Sequence, residues 1–364
     1  MTTAFDPIDL SGTPLANRIA MAPMTRSRAY GPGLSPTELV AEYYAQRAGA
    51  GLIVSEGIQP SETGRGYPDT PGLHSEEQVA AWRRVTDAVH ARGGRIFAQL
   101  MHSGRIGHPS LFEDGRASVA PSAVAADGEL YTAEGPKRFV PPRELPGEEI
   151  PAVIGEFVHS ARNAVEAGFD GVELHGANGY LIQQFLASNT NRRTDEWGGS
   201  VQNRIRFAVE TATAVAGAIG AGRTGIRLSP GNTHNDIAES DPHEVYPALA
   251  DRLEPLGLAY VHIAENVPGS REVTEAVRRR YSGTLILNPF TEGPTDHRAL
   301  GLVEEGLADM VVFGTLFLAN PDLPERLRTS GPYNAPDPTA FFGGDSKGFT
   351  DYPVLERAGQ LTDV

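Results

Sequence analysis

Cysteine is absent from this chain of 364 residues, and its absence removes several kinds of chemistry at once. Without a thiol the protein has no disulfide bond, no thiolate nucleophile and no cysteine-ligated metal cluster. The ten histidines do not suggest a metal site either, because none of them stands in an H-E-x-x-H or comparable spacing. The sequence therefore predicts a protein that works without a bound metal ion.

Excess positive charge and long apolar runs are also missing. Acidic residues outnumber basic ones by 46 to 31, and the net charge of −15 disfavours nucleic acid or an anionic membrane as a partner. The most apolar long stretch, 207–222, is interrupted by Glu210, so no transmembrane helix is predicted. The opening residues MTTAFDPIDL have no basic region and no signal-peptide core. We therefore expect a soluble, cytoplasmic protein.

Short apolar strands alternate with helical segments along the chain. The eight predicted strands lie at 17–21, 51–55, 95–100, 171–174, 225–228, 259–264, 284–287 and 310–313. A helical segment follows each of them, and a length of 364 residues fits either two average domains or one large barrel. Eight successive βα units favour the second. We predict a single α/β domain over 1–364, a (β/α)₈ TIM barrel with a short N-terminal cap at 5–16.

Local signals refine this outline. Ser35, followed by Pro36, is the predicted N-cap of the first barrel helix, and Ser75 with Gln78 forms a predicted capping box. Residues 220–225 match the dinucleotide fingerprint G-x-G-x-x-G. They follow a helix and precede a strand, which reverses the order that the fingerprint requires. We predict a helix-to-strand turn there.

One connection is much longer than the others. Residues 101–147, rich in proline, glycine and serine, separate the third strand from its helix. Excursions of this length above a barrel mouth are usually lids or binding loops, and the alternative is a disordered insert.

The stretch 171–199 carries the densest chemistry. His175, Asn178 and Tyr180 follow directly after a predicted buried strand, at the end of the strand where barrels place their active sites. Two donors aimed at one oxygen polarise a carbonyl group, and a phenol with a pKa of about 10 delivers a proton at neutral pH. In the alternative interpretation, His175 and Asn178 cap the following helix and Tyr180 packs in its first turn.

The sequence His175 to Leu186 reads H-x-A-N-G-Y-L-x-x-Q-F-L, and Asn191 to Ser200 reads N-x-R-T-D-E-W-G-G-S. Both resemble the signature of the old yellow enzyme family of flavin-dependent ene-reductases. The resemblance implies that the chain is an oxidoreductase with bound FMN, reduced by NAD(P)H, that reduces the C=C bond of an α,β-unsaturated carbonyl compound. It also implies that His175 and Asn178 hold the substrate oxygen and that Tyr180 protonates the α-carbon. It favours an ordered, hairpin-bearing lid at 101–147.

The resemblance extends to a flavin site at the strand ends. The predicted cofactor-binding residues are Pro23, Met24, Thr25, Gly57, Gln99, Arg227, Gly314 and Thr315. In this interpretation Thr25 approaches O4 of the flavin, Gly57 allows close backbone approach and Gln99 meets the pyrimidine edge. Arg227 brings a permanent positive charge to N1 and O2, where reduction builds negative charge. The alternative for Arg227 is a buried salt bridge with a neighbouring carboxylate.

Four further residues match family positions near the substrate. They are Tyr67, Met101, Arg143 and Phe349. Met101 stands where the family usually has tryptophan, and Phe349 lacks a hydroxyl that usually faces the substrate. For Tyr67 and Arg143 the alternative is loop packing.

The largest departure from the family lies at the phosphate end. Thr315 replaces the phosphate-gripping arginine, while Asn288 and Pro289 replace glycines, and proline has no N–H to donate. This loss favours a cofactor with less phosphate charge, so a 5-deazaflavin coenzyme is the alternative to FMN. Two other functions stay open, a flavin-assisted isomerase and a non-catalytic flavin-binding barrel. We expect a monomer or homodimer whose partners are an enone and a nicotinamide cofactor.

Overall fold

Eight parallel strands close into a barrel, as the computed structural model of residues 2–132 and 134–355 describes it. The strands, numbered 1 to 8 in chain order, are Ile19–Met21, Leu52–Ile58, Ile96–Leu100, Gly171–Gly176, Thr224–Leu228, Tyr260–Ala264, Leu285–Asn288 and Met310–Phe313. Strand 8 pairs with strand 1, which closes the barrel. The predicted (β/α)₈ TIM barrel is therefore confirmed. The predicted domain bounds at 1 and 364 lie outside the described residues.

Helices cover the outside of the barrel between successive strands. Their bounds are Glu38–Gln46, Glu76–His90, Ile150–Glu166, Leu181–Leu186, Val201–Ile219, Pro242–Leu253, Ser270–Arg278, Gly301–Glu304, Thr315–Ala319 and Leu323–Arg328. Within the described residues, none of these helices is long and apolar enough to cross a membrane.

The start of one helix agrees with its sequence signal and the start of another does not. Ser75 accepts a hydrogen bond from the Gln78 backbone, and both halves of the predicted capping box are present. The predicted N-cap at Ser35 is wrong, because the first barrel helix begins at Glu38 after Thr37. The Ser35 backbone exchanges hydrogen bonds with Gly31 instead, and this tight loop delays the helix.

One end of the barrel is filled with side chains and the other is open. At the amino end of the strands, a hairpin of Ile8–Leu10 and Thr13–Leu15 forms the predicted N-terminal cap. Its buried side chains Leu10 and Leu15 join the same apolar cluster as the strand residues inside the barrel. Because this end is filled with apolar side chains, the opposite mouth is the end available for a ligand.

Two strand glycines make room inside the barrel. A Cβ atom at Gly171 would lie 2.5 Å from the ring of Phe97, and one at Gly225 would lie 2.5 Å from the ring of Tyr260. The two aromatic rings are 5.7 Å apart and fill the lower barrel. We conclude that small and large residues alternate here so that the interior is packed and not a pore.

The excursion forms defined structure over 101–132 and 134–147, so the alternative of a disordered insert is wrong for these residues. It contains a hairpin of Glu129–Thr132 and Gly135–Arg138, and a pair of short parallel strands, Val119–Ala120 and Arg143–Glu144. The guanidinium group of Arg105 joins two parts of the chain by hydrogen bonds to backbone carbonyls. It donates to Val124 within the excursion and to Asn235 in the loop after strand 5. The predicted hairpin is therefore present, and a role of the segment as a lid stays a prediction.

Residues 220–225, which match the dinucleotide fingerprint, form the predicted turn. A helix ends at Ile219, a single turn of 3₁₀ helix covers Ala221–Arg223, and strand 5 begins at Thr224. The motif is therefore a helix-to-strand turn and not a dinucleotide site.

Candidate active site

His175 lies near the end of strand 4, directly opposite Arg227 on strand 5. The side chain is 3% exposed, and its Nδ1 atom has no hydrogen-bond partner in the described structure. Burial, followed by the nearby positive charge of Arg227, lowers the pKa of His175 well below its usual value. The imidazole is therefore neutral at physiological pH and has one N–H to donate.

Asn178 follows in the loop after strand 4, in a left-handed backbone conformation with φ of 54°. Its side-chain oxygen accepts hydrogen bonds from Asn232 Nδ2 at 2.8 Å and Asn266 Nδ2 at 3.1 Å. With the oxygen engaged twice, the amide nitrogen is the part of this side chain that remains for a ligand. The Asn178 side chain can therefore act as a hydrogen-bond donor to a ligand.

Tyr180 completes the cluster. Its hydroxyl group lies 2.9 Å from the hydroxyl of Tyr67, and its ring centroid lies 5.0 Å from that of His175. Burial raises the pKa of Tyr180 above its usual value, so the phenol keeps its proton at neutral pH. The helix that starts at Leu181 has no side-chain cap. The alternative interpretation, in which His175 and Asn178 cap this helix, is therefore wrong.

A layer of polar side chains crosses the barrel beneath this cluster. Arg227 Nε lies 3.4 Å from His262 Nε2, His262 Nδ1 lies 2.8 Å from Glu173 Oε2, and Gln99 Nε2 donates to Glu173 Oε1 at 2.8 Å. His262 and Glu173 are fully buried. Burial by itself raises the pKa of Glu173, but His262, Arg227 and Gln99 together outweigh it and lower that pKa. Glu173 is therefore an anion.

The predicted alternative for Arg227, a direct salt bridge with a carboxylate, is wrong. His262 stands between Arg227 and Glu173, and in the described residues the terminal guanidinium nitrogens of Arg227 make no hydrogen bond to protein. Burial lowers the pKa of Arg227 from its usual value. A guanidinium group remains a cation even so, because its ordinary pKa lies above about 12. The mouth therefore contains a cation that His262 positions and that no carboxylate contacts directly.

The remaining residues predicted to contact the flavin ring surround this layer. Pro23, Met24 and Thr25 follow strand 1 and are partly exposed at the mouth. At Gly57 the structure shows a steric requirement for glycine that was not predicted. A Cβ atom there would lie 2.6 Å from the sulfur atom of Met101. Its small size makes room for that side chain, whereas a close flavin approach stays a prediction.

The predicted phosphate end lies after strands 7 and 8. Gly314 and Thr315 open the short helix Thr315–Ala319 and are partly exposed. Beside them, the Glu265 backbone N–H donates to the carbonyl of Asn288, and its carboxylate accepts from the Phe290 N–H at 3.2 Å. Pro289, which lies between Asn288 and Phe290, has no N–H. Pro289 and Phe290 therefore offer no free N–H to a phosphate.

Two predicted substrate contacts are near Tyr180 and two are not. Tyr67 and Met101 pack in one apolar cluster with Tyr180. Phe349 is 0% exposed and stacks on Tyr43, with ring centroids 4.1 Å apart, so its prediction as a substrate contact is wrong. Arg143 is half-exposed and pairs with Glu149 at 2.8 Å, before the helix Ile150–Glu166. An ion pair between exposed side chains is weak, so the contact between Arg143 and the substrate stays a prediction.

Several polar residues at the mouth escaped sequence analysis. Glu173 and His262 are single polar residues inside apolar strand runs, and a polar residue in a buried strand was the available signal. Asn232 and Asn235 lie in the amide-rich loop GNTHND after strand 5, and Asn266 in the loop after strand 6. No spacing in the chain connects these amides to Asn178, because they meet only when the barrel closes.

The residues at the mouth fit the ring of a flavin. Arg227 offers a free guanidinium group near the unpartnered Nδ1 of His175, and Gln99, whose nitrogen is engaged by Glu173, offers its carboxamide oxygen to a donor such as the flavin N3–H. At the phosphate end, neither Gly314 nor Thr315 supplies a cation. In the described residues no cluster of acidic and histidine side chains is arranged to hold a metal ion.

Comparisons with known proteins agree with this geometry. The family model described as NADH:flavin oxidoreductase / NADH oxidase family matches residues 3–334. The chain is 39% identical over 361 residues to 12-oxophytodienoate reductase 1 of Oryza sativa subsp. japonica, covering 96% of this chain and 93% of the relative. It is 40% identical over 356 residues to the probable flavin mononucleotide-dependent alkene reductase of Leishmania infantum, covering 96% of both.

Solved structures agree as well. Morphinone reductase in complex with tetrahydroNAD superposes with a TM-score of 0.92 at 42% identity over 99% of both chains. The old yellow enzyme homologue from Zymomonas mobilis superposes with a TM-score of 0.92 at 40% identity, over 97% of this chain and all of that one. The chain therefore belongs to the NADH:flavin oxidoreductase / NADH oxidase family, and it is a flavin-dependent oxidoreductase of the old yellow enzyme type.

Proposed function

We propose that this protein is an FMN-dependent ene-reductase that uses NAD(P)H to reduce the C=C bond of α,β-unsaturated carbonyl compounds. The observation that carries the proposal is the cluster of His175, Asn178 and Tyr180, in which the His175 ring lies 5.0 Å from the Tyr180 ring and opposite Arg227 on the next strand, and Asn178 lies two residues before Tyr180. A barrel that only stored a flavin would need neither the donor pair nor the phenol.

His175 and Asn178 bind the carbonyl oxygen of the substrate in this proposal. Both are neutral donors, so they stabilise negative charge as it develops on that oxygen, and they withdraw electrons from the conjugated double bond. A lowered pKa suits His175 to this role, because a neutral imidazole does not transfer its proton prematurely. Bound FMN supplies the hydride, which it receives from the nicotinamide.

Tyr180 delivers a proton to the α-carbon. Its raised pKa keeps it protonated, and the hydroxyl group of Tyr67, at 2.9 Å, is a hydrogen-bond partner that stabilises the tyrosinate left after transfer. Met101 and Ile106 pack beside these two phenols and exclude water from this wall of the mouth. The proton therefore moves in an apolar environment in which the donor and its partner are fixed.

Arg227 supports the cofactor in the same proposal. An unpaired guanidinium group stabilises the negative charge that reduction builds on a flavin at N1 and O2. Thr25, Met24 and Pro23 from the segment after strand 1 and Gln99 from strand 3 are the other ring contacts that we propose, with Gly57 and Gly314 beside them. The Leishmania relative is named as flavin mononucleotide-dependent, which supports FMN, and the deazaflavin alternative receives no support from the comparisons.

Anaerobic half-reactions test the proposal. NADH and NADPH are mixed separately with purified holoenzyme, and cyclohexenone is then added while the flavin absorbance is followed. We expect one of the nicotinamides to bleach the flavin, cyclohexenone to restore its absorbance, and cyclohexanone to form in equal amount. Reduced enzyme that cyclohexenone does not reoxidise would contradict the proposal, as would an isomer without net reduction. The choice of nicotinamide, the oligomeric state and the cytoplasmic location stay predictions.

A further inference from the structure

Asn178 is held from two neighbouring loops that the catalytic motif does not include. Asn232 comes from the loop after strand 5 and is 5% exposed, whereas Asn266 comes from the loop after strand 6 and is exposed. Both donate their side-chain N–H groups to the side-chain oxygen of Asn178, at 2.8 and 3.1 Å. The donor function of Asn178 therefore depends on which way these amides face.

A backbone group fixes that direction. The N–H of His234, which can only donate, lies 3.0 Å from Asn232 Oδ1. Asn232 must therefore keep its oxygen on that side and present its NH₂ group to Asn178. Asn178 in turn must present its oxygen to Asn232, which leaves its own NH₂ group for the mouth. The orientation of both amides follows from one backbone donor.

The Asn178 backbone has little freedom to compensate. Its N–H donates to Ser229 Oγ at 2.9 Å, and its carbonyl accepts from Asn235 Nδ2 at 2.8 Å. Its φ of 54° lies in the left-handed region, where a non-glycine residue persists only when its surroundings hold it. With the backbone fixed, a rotation of the carboxamide is the remaining change, and it exchanges a donor for an acceptor at the mouth.

We propose that Asn232, supported by Asn266, is a positioning residue that keeps the carboxamide NH₂ of Asn178 directed at the substrate oxygen. This inference rests on the proposed function, in which Asn178 binds that oxygen. If the carboxamide turned over, its oxygen would face the carbonyl oxygen of the substrate, and attraction would become repulsion. Substrate affinity is thus controlled by a residue that does not touch the substrate.

An isosteric substitution tests the proposal. Asn232→Asp keeps an oxygen for the His234 N–H but replaces the NH₂ group with a second oxygen, which draws the NH₂ group of Asn178 away from the mouth. We expect this variant of the holoenzyme to bind para-chlorophenol at least tenfold more weakly than the wild type, measured from the change in flavin absorbance. The KM for cyclohexenone should rise, while reduction of the flavin by nicotinamide stays within about twofold.

The same substitution in an Asn178→Ala background separates orientation from charge. Without an amide at 178, Asn232→Asp should weaken phenol binding and raise the cyclohexenone KM by no more than about twofold further, because residues that act through one group are not additive. A loss of the same size in both backgrounds would overturn the proposal, because it would show that the carboxylate repels the ligand directly. Equal affinities of wild type and Asn232→Asp would also overturn it.

An exposed variant guards against misfolding. If Asn232→Asp does not fold, Asn266→Asp places a carboxylate against the same oxygen of Asn178 from a solvent-exposed position. We expect a smaller loss of phenol affinity in the same direction, and this loss should also disappear in the Asn178→Ala background. An Asn266→Asp loss that survived in that background would count against the proposal. Failure of the wild type itself to bind phenol or reduce cyclohexenone would instead contradict the proposed function.

Discussion

Two regions of the barrel mouth differ in how their polar side chains are held. After strands 4, 5 and 6, three polar side chains are held by others: Asn178 by two amides, Tyr180 by Tyr67, and Arg227 by His262. After strands 7 and 8, where the cofactor phosphate is expected, Thr315 and Pro289 stand in place of a cation and of a backbone donor. We call these the reaction end and the phosphate end.

The difference shows which task tolerates variation. Reaction chemistry requires donors placed to within tenths of an ångström, so its groups need neighbours that fix them. Binding a phosphate requires favourable charge and donors, but several arrangements supply these. A sequence can therefore depart from its family at the phosphate end while it keeps His175, Asn178 and Tyr180 at the reaction end. The following substitutions test this division, from the largest expected effect to the smallest.

Tyr180→Phe should break the reaction end most severely. The ring keeps its packing against Met101 and Ile106 but loses the proton that we assign to the substrate α-carbon. We expect the oxidative half-reaction with cyclohexenone to slow by about 10²–10⁴-fold, the usual contribution of general acid catalysis. Stopped-flow absorbance measures it, with reduction by nicotinamide as the internal control that should not change. Tyr67→Phe is the matched variant and should cost less. An unchanged oxidative rate in Tyr180→Phe would refute the assignment.

Removal of the donor pair should have the next largest effect. His175→Ala and Asn178→Ala should each weaken phenol binding and slow enone reduction, by up to the ~10²–10³-fold, or about 2.7–4 kcal/mol, typical of one oxyanion donor. The double variant should lose less than the sum of the two, because both donors act on one oxygen. Phenol titration measures it. If the double variant binds phenol as tightly as the wild type, the pair has a structural role only.

Thr315→Arg should strengthen the phosphate end. A charge-assisted hydrogen bond contributes about 1.5–3 kcal/mol, so FMN should bind the apo variant roughly ten- to a hundredfold more tightly than the apo wild type. Riboflavin, which has the same ring but no phosphate, is the matched control and should gain nothing. Fluorescence titration of both ligands measures the effect. High FMN affinity in the wild type, unmoved by the new arginine, would show that another group already neutralises the phosphate.

The pH profile should reveal the smallest change. The pKa of His175 is lowered and that of Tyr180 is raised. Both groups are therefore uncharged at any pH that lies above the pKa of His175 and below the pKa of Tyr180. We therefore expect the rate of flavin reoxidation by cyclohexenone to vary by less than about threefold between pH 6 and 9. Stopped-flow measurements across this range check it. A sigmoidal rate change centred between these limits would show that one of the two groups titrates there and that its environment has been misjudged.

Sequence patterns were sufficient for the barrel and for the three residues to which we assign the reaction chemistry. Each strand and helix carries its own local periodicity, and eight βα units have few ways to pack other than a closed barrel. His175, Asn178 and Tyr180 were found for the same reason: they lie within six residues, so their proximity follows from the chain itself. The error at Phe349 arose because its surroundings, such as Tyr43, come from a distant part of the chain, whereas Ser35 was misjudged because a local loop with Gly31 delays the helix.

What the sequence by itself determined is therefore the fold, the family and the residues that we propose as reacting groups, because each is encoded within short stretches. Only the tertiary structure decided how those groups are held. It brought Tyr67 to Tyr180 across 113 residues, and Asn232 and Asn266 to Asn178 across 54 and 88. It also enclosed Phe349 in the core and placed His262 between Arg227 and Glu173. These contacts form only when strands from distant parts of the chain become neighbours, and no local pattern records which side chains then meet.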